Sequence, residues 1–84
     1  MRVQLQPAYV LFSQPFQNTS LMVDLFTLEY GRVRAIAKGA RREKSKYRAL
    51  LQPFQPLLIG FSGRGDVKTL GGVEAGHNAI FLKG

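Results

Sequence analysis

Short apolar stretches separated by turn-forming residues run along most of the chain, a pattern typical of a small all-β protein. The stretches are rich in β-branched and aromatic residues, which favour strands. Glycine, proline, asparagine and serine lie between them and predict turns. The predicted strands are residues 8–13, 20–28, 32–38, 57–61 and 67–75.

The second and third predicted strands alternate in polarity, so each should present one face to a core and one outward. The inward positions are Leu21, Val23 and Leu25 in the second strand and Val33, Ala35 and Ala37 in the third. The outward positions are Met22, Asp24 and Phe26, and then Arg32, Arg34, Ile36 and Lys38. Residues 29–31 (EYG) predict a three-residue hairpin loop in which Gly31 takes the left-handed conformation.

The strand pattern stops between Gly39 and Pro56, where a short helix is expected over residues 46–51. Ser45 is a suitable cap, and Pro53 must end the helix. One face of this helix would be buried beneath the sheet and would carry Tyr47, Leu50 and Leu51. Three strands, a helix and two strands is the element order of the OB-fold, a small five-stranded barrel.

The chain has 84 residues, which is enough for one core but not two. We therefore predict a single OB-fold domain over residues 1–76, followed by a tail over residues 77–84. Gly71 and Gly72, within the fifth strand, predict a bulge of the kind that barrel corners need.

Positive charge is concentrated in residues 32–48, which hold eight of the twelve cations and one acid and account for the whole net charge of +7. The rest of the chain is balanced. One positively charged stretch, residues 32–48, on an otherwise neutral domain favours a polyanionic partner, most often nucleic acid. The alternative is a solvated loop that is charged for solubility. The cations are Arg32, Arg34, Lys38, Arg41, Arg42, Lys44, Lys46 and Arg48.

The composition offers little for catalysis, so we expect a protein that is not an enzyme and binds no cofactor. It contains no cysteine and one histidine, His77, which excludes a thiolate metal site and a histidine-based triad. The sequence Arg64-Gly65-Asp66 is interpreted as turn chemistry, because no secretion signal precedes it. The apolar runs are too short to span a bilayer, so we expect no membrane contact. The lack of cysteine favours a reducing compartment, so we expect a cytoplasmic location.

The outward face of the second and third strands is a candidate binding surface. A loop at residues 29–31 pairs Leu28 with Arg32, Phe26 with Arg34, and Met22 with Lys38, placing a ring beside cations. In OB-folds this face binds oligonucleotides, with rings stacked on bases and cations beside phosphates. The alternative is that Phe26 belongs to an apolar patch that contacts a protein.

Residues 38–48, the basic segment, predict a flexible cationic arm that leaves the edge of the same face. Contacts from such an arm to phosphates would add affinity without selecting a base sequence. The competing interpretation is a helix that is charged on all sides, which Gly39 and the crowded like charges disfavour.

Several blocks of the sequence resemble the N-terminal region of RecO proteins, bacterial mediators of DNA recombination. They occur in the same order and cover nearly the whole chain. The blocks are Ser20–Thr27 (SLMVDLFT) and residues 31–34 (GRVR), 37–41 (AKGAR), 51–58 (LQPFQPLL) and 63–70 (GRGDVKTL).

The resemblance implies an OB-fold that binds single- and double-stranded DNA in repair by homologous recombination, at the bacterial nucleoid. It implies strand annealing and help in loading RecA, with RecR and the single-strand-binding protein as partners. The eight cations above are the positions that fit DNA contacts.

RecO proteins continue into a helical domain, often with a four-cysteine zinc site, and this chain carries neither. The tail would begin that connection, and the single-strand-binding protein would bind mainly the absent part. The alternative function is protein docking to RecR or to the helical domain, with little DNA affinity.

Overall fold

The computed structural model describes residues 1–76, which form five strands and one short helix. The elements are β1 Arg2–Phe16, β2 Ser20–Thr27, β3 Gly31–Ala37, α1 Tyr47–Leu50, β4 Leu57–Ser62 and β5 Val67–Ala75. The predicted element order is therefore confirmed. The predicted tail, residues 77–84, lies outside the described residues together with His77. No helix in the described part is long and apolar enough to cross a membrane.

The five strands close into a barrel in the order β1-β2-β3-β5-β4. Neighbouring strands are antiparallel except for β3 and β5, which pair in parallel. The contact between β3 and β5 closes the barrel. The turns that lead into α1 carry the chain from the end of β3 across to β4, so that β5 and not β4 becomes the neighbour of β3. The architecture is the OB-fold that the element order predicted.

Strand β1 is much longer than predicted, because its two halves serve different neighbours. Residues 2–8 pair with β4 and residues 8–16 pair with β2. Polar residues in the first half interrupt the hydrophobic pattern, so the sequence did not predict a strand there. Gln6 is one of these polar residues and is nevertheless buried. Its side-chain amide is satisfied there, because it donates to the Glu29 carboxylate at 2.8 Å and accepts from the Glu29 N–H at 2.7 Å. Pro15 lies beyond the pairing with β4, so its missing N–H interrupts no ladder on that side.

The core lies inside the barrel and includes the predicted inward faces of β2 and β3. Leu21 and Val33 are half-buried and pack against it. Its fully buried members come from β1, β2, β3 and β4 and from Ala40 in the turn after β3, so the alternation in β2 and β3 identified the correct side chains. They include Val10, Val23, Leu25, Ala35, Ala37, Leu57 and Ile59.

The predicted pairing of β2 with β3 is wrong by two residues. The observed pairs are Thr27 with Gly31, Phe26 with Arg32, and Asp24 with Arg34. Thr27 causes the difference, because its hydroxyl accepts from the Tyr30 N–H and donates to the Gly31 carbonyl and so ends β2 early. Gly31 does take the left-handed conformation that was predicted, with φ 66°.

The predicted bend at Gly71 and Gly72 is confirmed. The register of β4 with β5 shifts between Ile59 and Phe61, so Gly60 faces both glycines. A Cβ atom on Gly60 would lie 3.0 Å from the backbone oxygen of Val3. The absence of side chains here lets three backbones approach closely at the corner.

Helix α1 is shorter and shallower than predicted. It has four residues and none of them is buried; Tyr47 and Leu50 are half-buried against the core, while Leu51, just after the helix, is 5% exposed. The Tyr47 hydroxyl donates to the Gly71 carbonyl at 2.9 Å, which ties α1 to β5. Ser45 accepts from the Tyr47 N–H, one position before the N-cap. The expected burial is therefore correct for Leu51 and wrong for Tyr47 and Leu50.

We predict that Leu51→Ala lowers the free energy of unfolding by about 2–5 kcal/mol, because it leaves a cavity under the barrel. Leu50→Ala should cost less, since its side chain is only half-buried. Arg64→Ala, on the exposed β4–β5 turn, is the control and should cost less than about 0.5 kcal/mol. Urea melts measure all three. An equal loss of unfolding free energy in Leu51→Ala and Arg64→Ala would mean that the region after α1 does not seal the barrel.

Candidate nucleic-acid interface

Three aromatic rings and an arginine form a row across the outer surface of the barrel. Tyr9 pairs with Phe26 across β1 and β2, and Phe26 pairs with Arg32 across β2 and β3. The ring centroids of Tyr9 and Phe26 are 5.7 Å apart. Phe54 extends the row beyond β1, with its ring centroid 5.9 Å from that of Tyr9. We call Phe54, Tyr9 and Phe26 the aromatic row.

A second row beside the aromatic row holds the only ion pairs found among residues 1–76. Asp24 lies opposite Arg34, whose Nε donates to Oδ1 at 2.8 Å. Arg32 approaches the other carboxylate oxygen at 3.5 Å. The Asp24 side chain is 6% exposed, whereas those of Arg32 and Arg34 are 69% and 52% exposed. One buried carboxylate thus orients two guanidinium groups that still face solvent.

This arrangement shifts the ionisation of both partners. The hydrogen bond from Arg34 holds the pKa of Asp24 below its usual value, with the positive charges of Arg34 and Arg32 adding to the effect and burial opposing it. The same hydrogen bond raises the pKa of Arg34. Each guanidinium has five N–H donors, so an anion can still bind the exposed edges. Asp24 nevertheless reduces the positive charge of this face.

The basic segment is folded against the barrel and is not the free arm that was predicted. The Ala40 side chain is fully buried, and the Arg41 N–H donates to the Thr19 carbonyl at 2.8 Å. The Arg41 guanidinium donates to the Gln17 carbonyl at 3.0 Å. Successive turns, such as the one closed by the Arg42 N–H on the Gly39 carbonyl, complete the segment. It is neither a free arm nor a continuous helix.

The cations of the basic segment face two different clefts. One cleft, of about 360 Å³, contains Arg41 and Arg48 and lies beside Ser13 of β1 and Pro53. The other, of about 600 Å³, is bordered by Gly72 and Val73 of β5. It contains four cations: Lys38, Arg42, Lys44 and Lys46.

The eight predicted cations therefore form three groups and not one site. Arg32 and Arg34 lie with Asp24 on the outer face, and the other six are divided between the two clefts. The predicted partners of the outward residues also change. Phe26 lies opposite Arg32 and not Arg34, and Met22 lies opposite Ile36 and not Lys38, because of the register difference. Phe26 is exposed, as predicted.

Sequence reasoning missed Tyr9 and Phe54 as surface residues beside Phe26. The alternation of β1 could have placed Tyr9 outward, because Val10 next to it faces the core. No local pattern could have placed Phe54, which belongs to the connection between α1 and β4. Phe12, also exposed, pairs with Asp24 and adds a further ring to the same face.

Within residues 1–76, no three side chains of the metal-ligating types His, Cys, Asp and Glu come together as a metal site would require. Every buried side-chain nitrogen or oxygen in that range has a hydrogen-bond partner.

We predict that Asp24→Asn removes part of the acid sensitivity of the fold. A carboxyl whose pKa is lowered on folding stabilises the protein above its unfolded pKa, and this contribution is lost as the pH falls through the folded pKa. The stability of the parent should exceed that of Asp24→Asn at neutral pH, and the gap should narrow below about pH 4. Urea melts from about pH 7 to pH 3 measure it.

Glu74→Gln is the matched control for this experiment, because Glu74 is an exposed acid on β5 that does not line the cleft of Asp24, Arg32 and Arg34. It should keep the parent's pH dependence. A gap between the parent and Asp24→Asn that stays constant with pH would show that the Asp24 charge is not what stabilises the fold.

Known proteins match this chain along its whole length. The family model described as "Recombination protein O N terminal" covers residues 1–78. A DNA repair protein RecO from Nitrosococcus oceani is 57% identical over 84 residues, which are all of this chain and 34% of that protein. The RecO of Cellvibrio japonicus is 46% identical over all of this chain and 36% of its own length. That of Salmonella dublin is 56% identical over 94% of this chain and 33% of its own length.

The chain thus spans about a third of the length of the curated relatives it matches. The matched third is the N-terminal part described by the family model. The barrel has the fold that the resemblance implied. This chain belongs to the RecO family, to whose N-terminal domain it corresponds.

Proposed function

We propose that this chain is a DNA-binding OB domain that serves DNA repair by homologous recombination, and that it is not an enzyme. The observation that carries the proposal is that six cations line two clefts, one beside β1 and the other beside β5. Clefts lined by one sign of charge focus the field and attract a polyanion. The family, whose members are named DNA repair proteins, makes DNA the expected polyanion.

In this proposal the basic segment supplies phosphate contacts that do not depend on base sequence. Lysines and arginines that neutralise phosphates release counterions, so the affinity falls as salt rises. The basic segment suits this role because its backbone is anchored at Ala40 and Arg41 while most of its side chains remain exposed. An anchored segment loses less conformational freedom on binding than a free arm would.

The wider roles implied by the resemblance stay predictions. They are strand annealing, assistance to RecA, and partnership with RecR and with the single-strand-binding protein, the latter through the part of the relatives that this chain does not span. A cytoplasmic place of action, at the bacterial nucleoid, belongs to the same proposal.

A second candidate function is protein docking, to RecR or to the remaining two thirds of the family's length. The exposure of Phe12, Phe26 and Phe54 on one face favours it, because large apolar residues grouped on a surface often mark a protein contact. The two candidates differ in their response to salt, since apolar docking releases no condensed counterions.

We predict salt-dependent binding of the chain to a labelled single-stranded oligonucleotide. If four to seven phosphates are neutralised, the slope of log K against log salt should be roughly −3 to −5. Fluorescence anisotropy over a salt series measures it. A slope near zero would contradict the proposal and favour docking.

We further predict that Lys44→Gln with Lys46→Gln weakens binding to all DNA sequences alike. The slope on single strands should become less negative by about 0.7 for each phosphate that the variant no longer neutralises. The control is Arg2→Gln with Arg64→Gln, which removes the same charge from exposed positions outside the basic segment. If both double variants make the slope less negative by the same amount, binding depends on the net charge of the chain and not on the cleft.

A further inference from the structure

We infer that the free edge of β5 takes an extended, acidic peptide of a partner protein as an added strand. This edge runs along the larger of the two cationic clefts, which is bordered by Gly72 and Val73. The inference goes beyond the proposed function, because it concerns a protein ligand and backbone groups that phosphate contacts do not use.

Strand β5 has a neighbouring strand on both sides along its first part only. It pairs with β4 as far as Ala75, but with β3 only as far as Thr69. Strand β3 ends at Ala37, and the larger cleft lies between the turns that follow it and the second part of β5. Within residues 1–76, no strand pairs with β5 on this side beyond Thr69.

The backbone groups of Val73 and Ala75 point away from β4. The Gly76 N–H donates to the Pro56 carbonyl at 2.9 Å, which makes residues 56 and 76 a hydrogen-bonded pair. Along an antiparallel ladder such pairs alternate with pairs that exchange no hydrogen bond, and the register is unbroken from here to Val73. Ala75 and Val73 therefore belong to pairs without hydrogen bonds, and their N–H and C=O groups face the other side of β5.

These N–H and C=O groups of Val73 and Ala75 have no hydrogen-bond partner among the described residues. Gly72 and Ala75 are exposed and Val73 is half-buried, so the edge is open to solvent. From residue 71 to residue 75 it measures about 17 Å at roughly 3.3 Å per residue. One more strand of ordinary length can pair with it, as extended peptides do at exposed sheet edges in other domains.

The charge of the larger cleft favours an acidic peptide as the occupant. Four exposed cations line this cleft, and no acid lines it in the part of the chain that the structure describes. Glu74 of β5 lines a different groove, beside Leu58 of β4. Carboxylates on an added strand would therefore meet unopposed positive charge. The four cations are Lys38, Arg42, Lys44 and Lys46.

Two other occupants fit this edge less well. The phosphates of DNA offer acceptors only, so they can meet the cations and the free N–H groups but leave the free carbonyls unpaired. A second copy of the chain, paired edge to edge, would bring its own four cations against the first four, and like charges oppose association. A peptide backbone offers donors and acceptors in alternation, and acidic side chains neutralise the cations.

The lysines beside the edge also have a protective effect, because charged side chains keep exposed strand edges from pairing unselectively. Protection by one sign of charge still admits a partner of the opposite sign. The same cations serve the phosphate contacts of the proposed function, so an acidic strand bound here would compete with DNA for this cleft.

The test uses the full chain and a capped, labelled peptide of eight residues in which glutamate and valine alternate, so that one face is acidic. Fluorescence anisotropy should show that the parent binds this peptide. Replacing the glutamates by glutamine should weaken binding about 1.5- to 5-fold for each carboxylate removed, the range expected for exposed ion pairs.

Backbone pairing is tested on the peptide, which leaves the fold of the chain unaltered. One version is methylated on the backbone nitrogens of the glutamates and another on those of the valines, so each loses the donors of one side. One version should bind at least about 10-fold more weakly, because its lost donors face β5, and the other should bind like the unmethylated peptide. Equal binding of the two versions would mean attraction by charge without an added strand, and the inference would be wrong.

Ala75→Pro tests the same contact from the side of the chain. It removes one N–H from the free edge, where proline interrupts no ladder with β4. Peptide binding should weaken about 2- to 10-fold, as expected for one hydrogen bond, while DNA binding and the melting midpoint stay unchanged. Ala75→Val is the matched control, because it keeps the N–H, and it should bind the peptide like the parent. Equal peptide affinities of the two variants would contradict the inference.

The outcomes separate this inference from the proposed function. A parent that binds DNA in a salt-dependent way but not the peptide overturns the inference, and the cations then protect the edge without recruiting a partner. A parent that binds the peptide, with the one-sided effect of methylation, but does not bind DNA overturns the proposed function and leaves the inference standing. Displacement of the bound peptide by DNA supports both.

Discussion

The barrel closes because β1 pairs with a different strand along each of its halves, and the rest of the structure depends on how β1 bends between them. Its register shifts between Val3 and Gln6 against β4, and again between Val10 and Phe12 against β2. Bulges of this kind bend a strand and increase its twist. Leu5, in the first shift, has φ 52°. Without these irregularities one strand could not follow both neighbours around so small a barrel.

The same strand also fixes the aromatic row. Gln6 holds the β2–β3 loop through two hydrogen bonds to Glu29, and the Leu28 N–H donates to the Pro7 carbonyl. The β2–β3 pair is thereby held against β1, which brings Tyr9 beside Phe26. Farther along, the Val10 carbonyl receives the Phe54 N–H. The aromatic row is therefore a product of barrel closure, since its three rings come from three separate parts of the chain.

Positive charge is distributed unevenly over this barrel. The basic segment carries most of the free positive charge and faces two clefts, whereas the arginines of the outer face are partly neutralised by Asp24. In the proposed function, the unselective attraction to phosphates therefore comes mainly from the basic segment.

The sequence by itself determined which side chains face the core, because alternation in β2 and β3 marks Val23, Leu25, Ala35 and Ala37 directly. It also located the charged segment and the left-handed Gly31, and its resemblance to RecO proteins is supported by the family comparison. The tertiary structure decided the strand register. Side chains repeat with period two, so a shift of two residues leaves every residue on the same face, and hydrophobicity cannot detect it. Only the folded loop, closed by Thr27, places Asp24 opposite Arg34. The tertiary structure likewise decided that Phe54 lies beside Tyr9, because the two are separated by most of the barrel in sequence and meet only once β1 and the connection after α1 are packed together.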